Sequence, residues 1–132
     1  MGRLANLLTD AWRRRRLTEP RIDVLVRCEA RHEIPKSMPR HTLFVVGGPK
    51  NPKWAVFECP CGGGHEIMLS LVPTHPRHWR LLDRQDGPSL HPSVNYGHDG
   101  GRCHFWLADG RVRFTPDSTG ARSRHMGLSG VA

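Results

Sequence analysis

The sequence is poor in acidic residues, in aromatics and in long apolar runs. Aspartate and glutamate number 12 against 20 lysines and arginines, a formal net charge of +8. Such a balance suits nucleic acid, an anionic membrane or an acidic protein, and alone chooses none of them. Aromatics make up 7% of 132 residues, and none is interleaved with the one basic run, residues 13–16, as an RNA-binding surface would require. Nucleic acid is therefore not the expected partner. No stretch approaches the roughly 20 consecutive apolar residues that cross a bilayer, and the first residues lack the apolar centre of a secretory leader. The expectation is a cytoplasmic protein with no membrane role. Hydrophobic residues reach only 37%, while 14 glycines and 11 prolines exclude long packed helices over most of the chain. What remains is one modest core in a turn-rich, mainly β domain.

Residues 3–16 place Leu4, Leu7, Leu8 and Ala11 or Trp12 at helical spacing, which predicts a short amphipathic helix that Pro20 ends. From residue 21 the pattern alternates, with Ile22, Val24 and Val26 on one side, as in a strand. Residues 42–46 and 54–58 read as two strands about a Gly-Gly-Pro-Lys-Asn-Pro turn, residues 66–72 and 78–82 as two more, and residues 83–103 as mostly loop. A last hairpin turns at Asp109-Gly110, between residues 103–108 and 111–115. These elements predict an N-terminal helix and basic segment over 1–20, a single zinc-binding β domain over 21–115 and a flexible tail over 116–132. The fold class is a small antiparallel β-sheet or sandwich with the metal site between hairpins.

The chemistry concentrates in Cys59-Pro60-Cys61-Gly62-Gly63-Gly64-His65-Glu66, where one strand ends and the next begins. Four cysteines in a reducing compartment make poor disulfides, which turns closely spaced thiols toward metal. Two thiolates one residue apart can face one ion if the backbone turns, and the glycines permit that turn. Zinc wants four nitrogen or sulfur ligands. Cys59, Cys61, His65 and Cys103 are the predicted set, with His104 as the other candidate for the fourth place. Cys28 sits in an apolar strand away from the cluster and reads as a small buried thiol. His75, His78, His91 and His98 fall among prolines and glycines and read as surface loops, held in reserve.

Two uses of the metal are open. A closed tetrahedral site would staple a small core, and the protein would be a non-catalytic module binding protein or nucleic acid through its arginines. An open site would activate a water, with Glu66 as the adjacent base. Ser93, in Ser89-Leu90-His91-Pro92-Ser93-Val94, could bond a ligand thiolate, hold a carbonyl or attack it, with His65 or His104 as its base.

The blocks Phe57-x-Cys59-Pro60-Cys61-Gly62, His65, Leu69-x-Leu71, Trp79, Leu90-x-Pro92-Ser93-Val94 and Cys103-His104-Phe105-Trp106-Leu107 together resemble a small bacterial family catalogued as a domain of unknown function. The likeness covers about residues 40–115. It implies a peptidase from operons that also encode ubiquitin-like proteins with E1-like and E2-like enzymes, and metal positions on Cys59, Cys61 and Cys103. The expectation is a zinc-dependent peptidase that trims or removes a ubiquitin-like protein, with Glu66, Ser93 and His104 as catalytic candidates.

Overall fold

The computed structural model describes residues 20–119, so the helix expected over residues 3–16 lies outside the described residues. Eight strands form two four-stranded sheets. The first sheet holds β1 (Val24–Cys28), β2 (Thr42–Gly47), β3 (Pro52–Glu58) and β4 (Glu66–Ser70), in that order. The second holds β5 (Arg80–Arg84), β6 (Gly87–His98), β7 (Gly101–Ala108) and β8 (Arg111–Phe114). All neighbours are antiparallel except β1 and β2, which run parallel. The stretch before β1 joins the sheets: Ile22 N donates to Gly110 O at the β7–β8 turn, and Val24 N donates to His41 O beside β2.

Alternation along the strands decides what meets what. Leu43, Val45, Ala55, Phe57, Ile67 and Leu69 of the first sheet face Leu90, Val94, Phe105, Leu107 and Val112 of the second in one core. Phe57 and Phe105 meet edge to face across it, ring centres 6.3 Å apart. The first sheet buries its other face too. Phe44, Val46 and Val56 pack under Ile34 and Met38 from the β1–β2 connection. That connection carries a 3-10 turn, Arg31–Glu33, whose Glu33 carboxylate accepts the Glu29 and Ala30 amides at 3.0 and 2.7 Å.

The expected strands and hairpins before residue 83 recur within a few residues, and so does the Asp109-Gly110 turn. Residues 83–103, read as mostly loop, instead contain the longest of the described strands, the twelve-residue β6. Its two prolines and two glycines suppress the local strand signal. Pairing on both sides overrides it: β5 covers the stretch to His91, and β7 pairs from Leu90 to His98 with a shift of register between Leu90 and Val94 that absorbs Pro92.

Because Phe105 is fully buried between the sheets, Phe105→Ala should cost about 3–5 kcal/mol in urea unfolding. Met68, 49% exposed on the far face of β4, should tolerate alanine within roughly 0.5 kcal/mol. Equal effects would contradict the sandwich core.

Candidate catalytic and metal site

Cys103 and His104 are consecutive on β7, so their side chains leave the sheet on opposite faces. Cys103 is fully buried in the core with Phe105 and Leu107, while His104 shares the outer face with Arg102 and Trp106. Two separate groups of functional side chains follow from this one step in the chain.

On the outer face, His104 lies opposite Asn95 of β6, and its Nε2 is 2.9 Å from the Ser93 hydroxyl. Its Nδ1 is 2.9 and 3.0 Å from the two carboxylate oxygens of Asp117. The Thr115 hydroxyl, together with the contact to His104, holds the Asp117 carboxyl below the ordinary carboxylate value. An ionised Asp117 accepts only, so Nδ1 donates to it, and in the neutral ring Nε2 is left to accept from Ser93. The serine is held from behind, where the Trp79 indole N–H donates to its carbonyl at 3.2 Å. Asp117 is held by a strap along β7. Thr115 N donates to His104 O, Ser118 Oγ donates to Arg102 O and accepts from His104 N, and Arg102 N donates to Thr119 Oγ1. Ser118 is fully buried in making these bonds. Residues 116–119, assigned by the sequence to the flexible tail, are thus seated against the sheet.

On the inner face the thiols of Cys59, Cys61 and Cys103 lie within 4.8 Å of one another, all buried. A tetrahedral zinc with ~2.3 Å bonds separates its sulfurs by ~3.8 Å, so this spacing suits a metal. Local geometry explains the gathering. Gly62 and Gly64 have φ of 79° and 83°, which let the chain double back after Cys61, and Cys59 N donates to His65 O at 2.7 Å to close the loop. Gly63 N donates to Cys61 Sγ at 3.2 Å, and a Cβ at Gly63 would come within 2.7 Å of His65 Nε2. The His98 Nε2 is 3.3 Å from Cys103 Sγ, and the His65 ring stacks on His98 with centres 4.0 Å apart. Burial pushes the Cys59 thiol pKa far up, and the neighbouring thiols add to it. A metal ion among the three sulfurs would supply the positive charge that favours the Cys59 thiolate.

Of the residues singled out in the sequence, Ser93 and His104 come together on the outer face, and the three cysteines with His65 on the inner face. Glu66 joins neither group. On β4 its neighbours Ile67 and Leu69 enter the core, so Glu66 faces the opposite side, where Arg31 Nη2 donates to its carboxylate at 2.5 Å. Cys28 also stands apart, its thiol donating to Val45 O at 3.7 Å and raised by burial. Two residues escaped the sequence reading. Asp117 stands in a polar turn just past the last strand, where an aspartate ordinarily serves the turn itself. His98 was set among loop histidines because β6 was not recognised. Its parity with the buried Val94 was the available signal.

A second serine–histidine pair, Ser70 Oγ and His75 Nδ1 at 2.5 Å, has another use. Ser70 is buried, its hydroxyl accepts from Val72 N, and the His75 ring packs near Trp54, all of which hold the turn after β4.

No described helix is long and apolar enough to cross a membrane. No curated protein and no solved structure matches the chain. Residues 30–115 match the family described as bacterial ubiquitination-like system serine protease (BubE). That stretch is most of the chain and contains Ser93, His104 and the three clustered cysteines, and the chain belongs to this family.

Proposed function

We propose that the protein is a serine peptidase of a bacterial ubiquitin-like conjugation system, with Ser93 as nucleophile, His104 as general base and then acid, and Asp117 as the group that orients the imidazole. The observation that carries this reading is the hydrogen-bonded chain from Ser93 Oγ through both nitrogens of His104 to Asp117. Ser93 Oγ attacks the scissile carbonyl carbon as its proton passes to His104 Nε2. His104 then returns a proton to the leaving amine as the C–N bond breaks, and an acyl-serine remains. Water, deprotonated by the same nitrogen, hydrolyses that ester and restores Ser93. Asp117 holds the ring in the tautomer the first step needs and balances the imidazolium. The substrate is a ubiquitin-like protein, cut from its precursor or from conjugates built by the E1-like and E2-like enzymes of the same system, in the cytoplasm.

In this reading the metal is structural. Zinc suits the thiol-rich donor set, with Cys59, Cys61 and Cys103 joined by an imidazole. His65 and His98 both stand by the cluster, His65 Nε2 buried beside Cys61 Sγ and His98 Nε2 3.3 Å from Cys103 Sγ, and either imidazole could take that place. The ion would cross-link the β3–β4 loop to β7 and so brace the strand that carries His104.

Ser93→Ala should abolish cleavage of the cognate ubiquitin-like precursor, and Asp117→Asn should lower kcat by something like 10²–10⁴, both without loss of melting temperature. Glu66→Gln should cleave as the wild type does. The reverse pattern, with Glu66 essential and Ser93 dispensable, would restore a metal-activated water. Retained precursor binding with no cleavage by the wild-type protein would instead favour a non-catalytic module.

Cys61→Ala should lose zinc and melting temperature together, since an underfilled site no longer links the two sheets. Metal analysis and thermal denaturation check it. Of His65→Ala and His98→Ala, the variant that removes the fourth ligand should do the same, whereas the other should keep most of its zinc. One equivalent of tightly held metal in Cys61→Ala would remove that residue from the ligand set.

A further inference from the structure

Acyl transfer through Ser93 develops negative charge on the former carbonyl oxygen, and a donor held ready for it is ordinarily worth 10²–10³ in rate. We propose that the Asn95 side-chain amide is that donor, and that Arg102 is the positioning residue that aims it. This rests on the Ser93–His104 reading above.

Three placements support it. Ser93 and Asn95 are two residues apart on β6 and share its outer face, roughly 7 Å along the strand at ~3.4 Å per residue. Asn95 lies directly opposite His104 in the β6–β7 ladder, beside the ring that contacts Ser93. The Asn95 Oδ1 accepts from Arg102 Nη1 at 2.7 Å. Arg102 itself lies opposite Gly97, one step further from Ser93.

The carboxamide is planar, with its oxygen an acceptor and its nitrogen a double donor on the same carbon. Bonding the oxygen to Arg102, which lies on the Gly97 side, leaves the NH₂ as the end that can donate to a substrate carbonyl at Ser93. An unrestrained asparagine would rotate freely and lose this direction, so the arginine contact sets which end of the amide meets the substrate. Asn95 is exposed, and the contact therefore contributes little to the fold. The strand beyond Asn95 is also open. Gly97 has no positive φ that would require glycine, and a Cβ there would meet nothing within 4 Å. Substrate backbone can therefore pass close over this segment.

Steady-state hydrolysis of p-nitrophenyl acetate by the full chain tests the assignment. Asn95→Ala should lower kcat by 10²–10³ with KM within about twofold and melting temperature unchanged. Asn95→Asp, which puts a negative charge where the amide donated, should lose at least as much. Arg102→Ala should lose less than Asn95→Ala, and Arg102→Lys should recover part of that loss. Wild-type kcat in Asn95→Ala, or a loss carried wholly by KM, overturns the assignment while an inactive Ser93→Ala leaves the nucleophile in place. Full turnover by Ser93→Ala would instead remove the reading on which the assignment rests.

Discussion

Both candidate groups of side chains depend on the alternation along β7. Cys103 and His104 are neighbours in the chain, yet the pleat sends one into the core and the other onto the outer surface. A shift of register by one residue would exchange them, putting an imidazole among aliphatic side chains and a thiol in solvent. The burial of Phe105 and Leu107 on the Cys103 side prevents that exchange. The same packing that stabilises the sandwich therefore puts the cysteine cluster on one face and the Ser93–His104–Asp117 chain on the other.

Division across one strand has mechanical consequences. The outer group depends on long-range placement: Ser93 from β6, His104 from β7 and Asp117 from the strap that follows β8. None of these is deeply buried, the His104 and Asp117 side chains being 22% and 57% exposed. Their geometry rests on backbone bonds to β7 rather than on enclosure, which leaves the serine accessible to an extended polypeptide. A domain of this size buries a modest apolar area, and a metal bridge between the β3–β4 loop and β7 would brace the strand that carries His104.

The legibility of the sequence follows the range of the interactions. The Gly-Gly-Pro-Lys-Asn-Pro turn and the Asp109-Gly110 dipeptide between alternating stretches are local signals, and they reveal the β2–β3 and β7–β8 hairpins. The cysteine loop is local as well, so Cys59 and Cys61 are conspicuous. β6 is hidden because prolines and glycines dominate its composition, while its stability comes from two partners remote in sequence. With β6 hidden, the inward parity of His98 and the outward parity of Ser93 could not be read. Asp117 is hidden for another reason: a single aspartate in a polar turn carries no pattern, and only the strap along β7 gives it a direction. Glu66 shows the opposite case, a residue conspicuous beside His65 in sequence that stands on the far face of β4 in an ion pair with Arg31.

The central claim is that Ser93 is an activated nucleophile. Incubating the folded protein with a fluorophosphonate probe and mapping the adduct by peptide mass spectrometry addresses it directly, because phosphonylation requires an activated hydroxyl. A single covalent adduct on Ser93 is expected, formed by the wild-type protein and not by His104→Ala of equal melting temperature. Labelling elsewhere, or no labelling of a protein that cleaves its precursor, would contradict it.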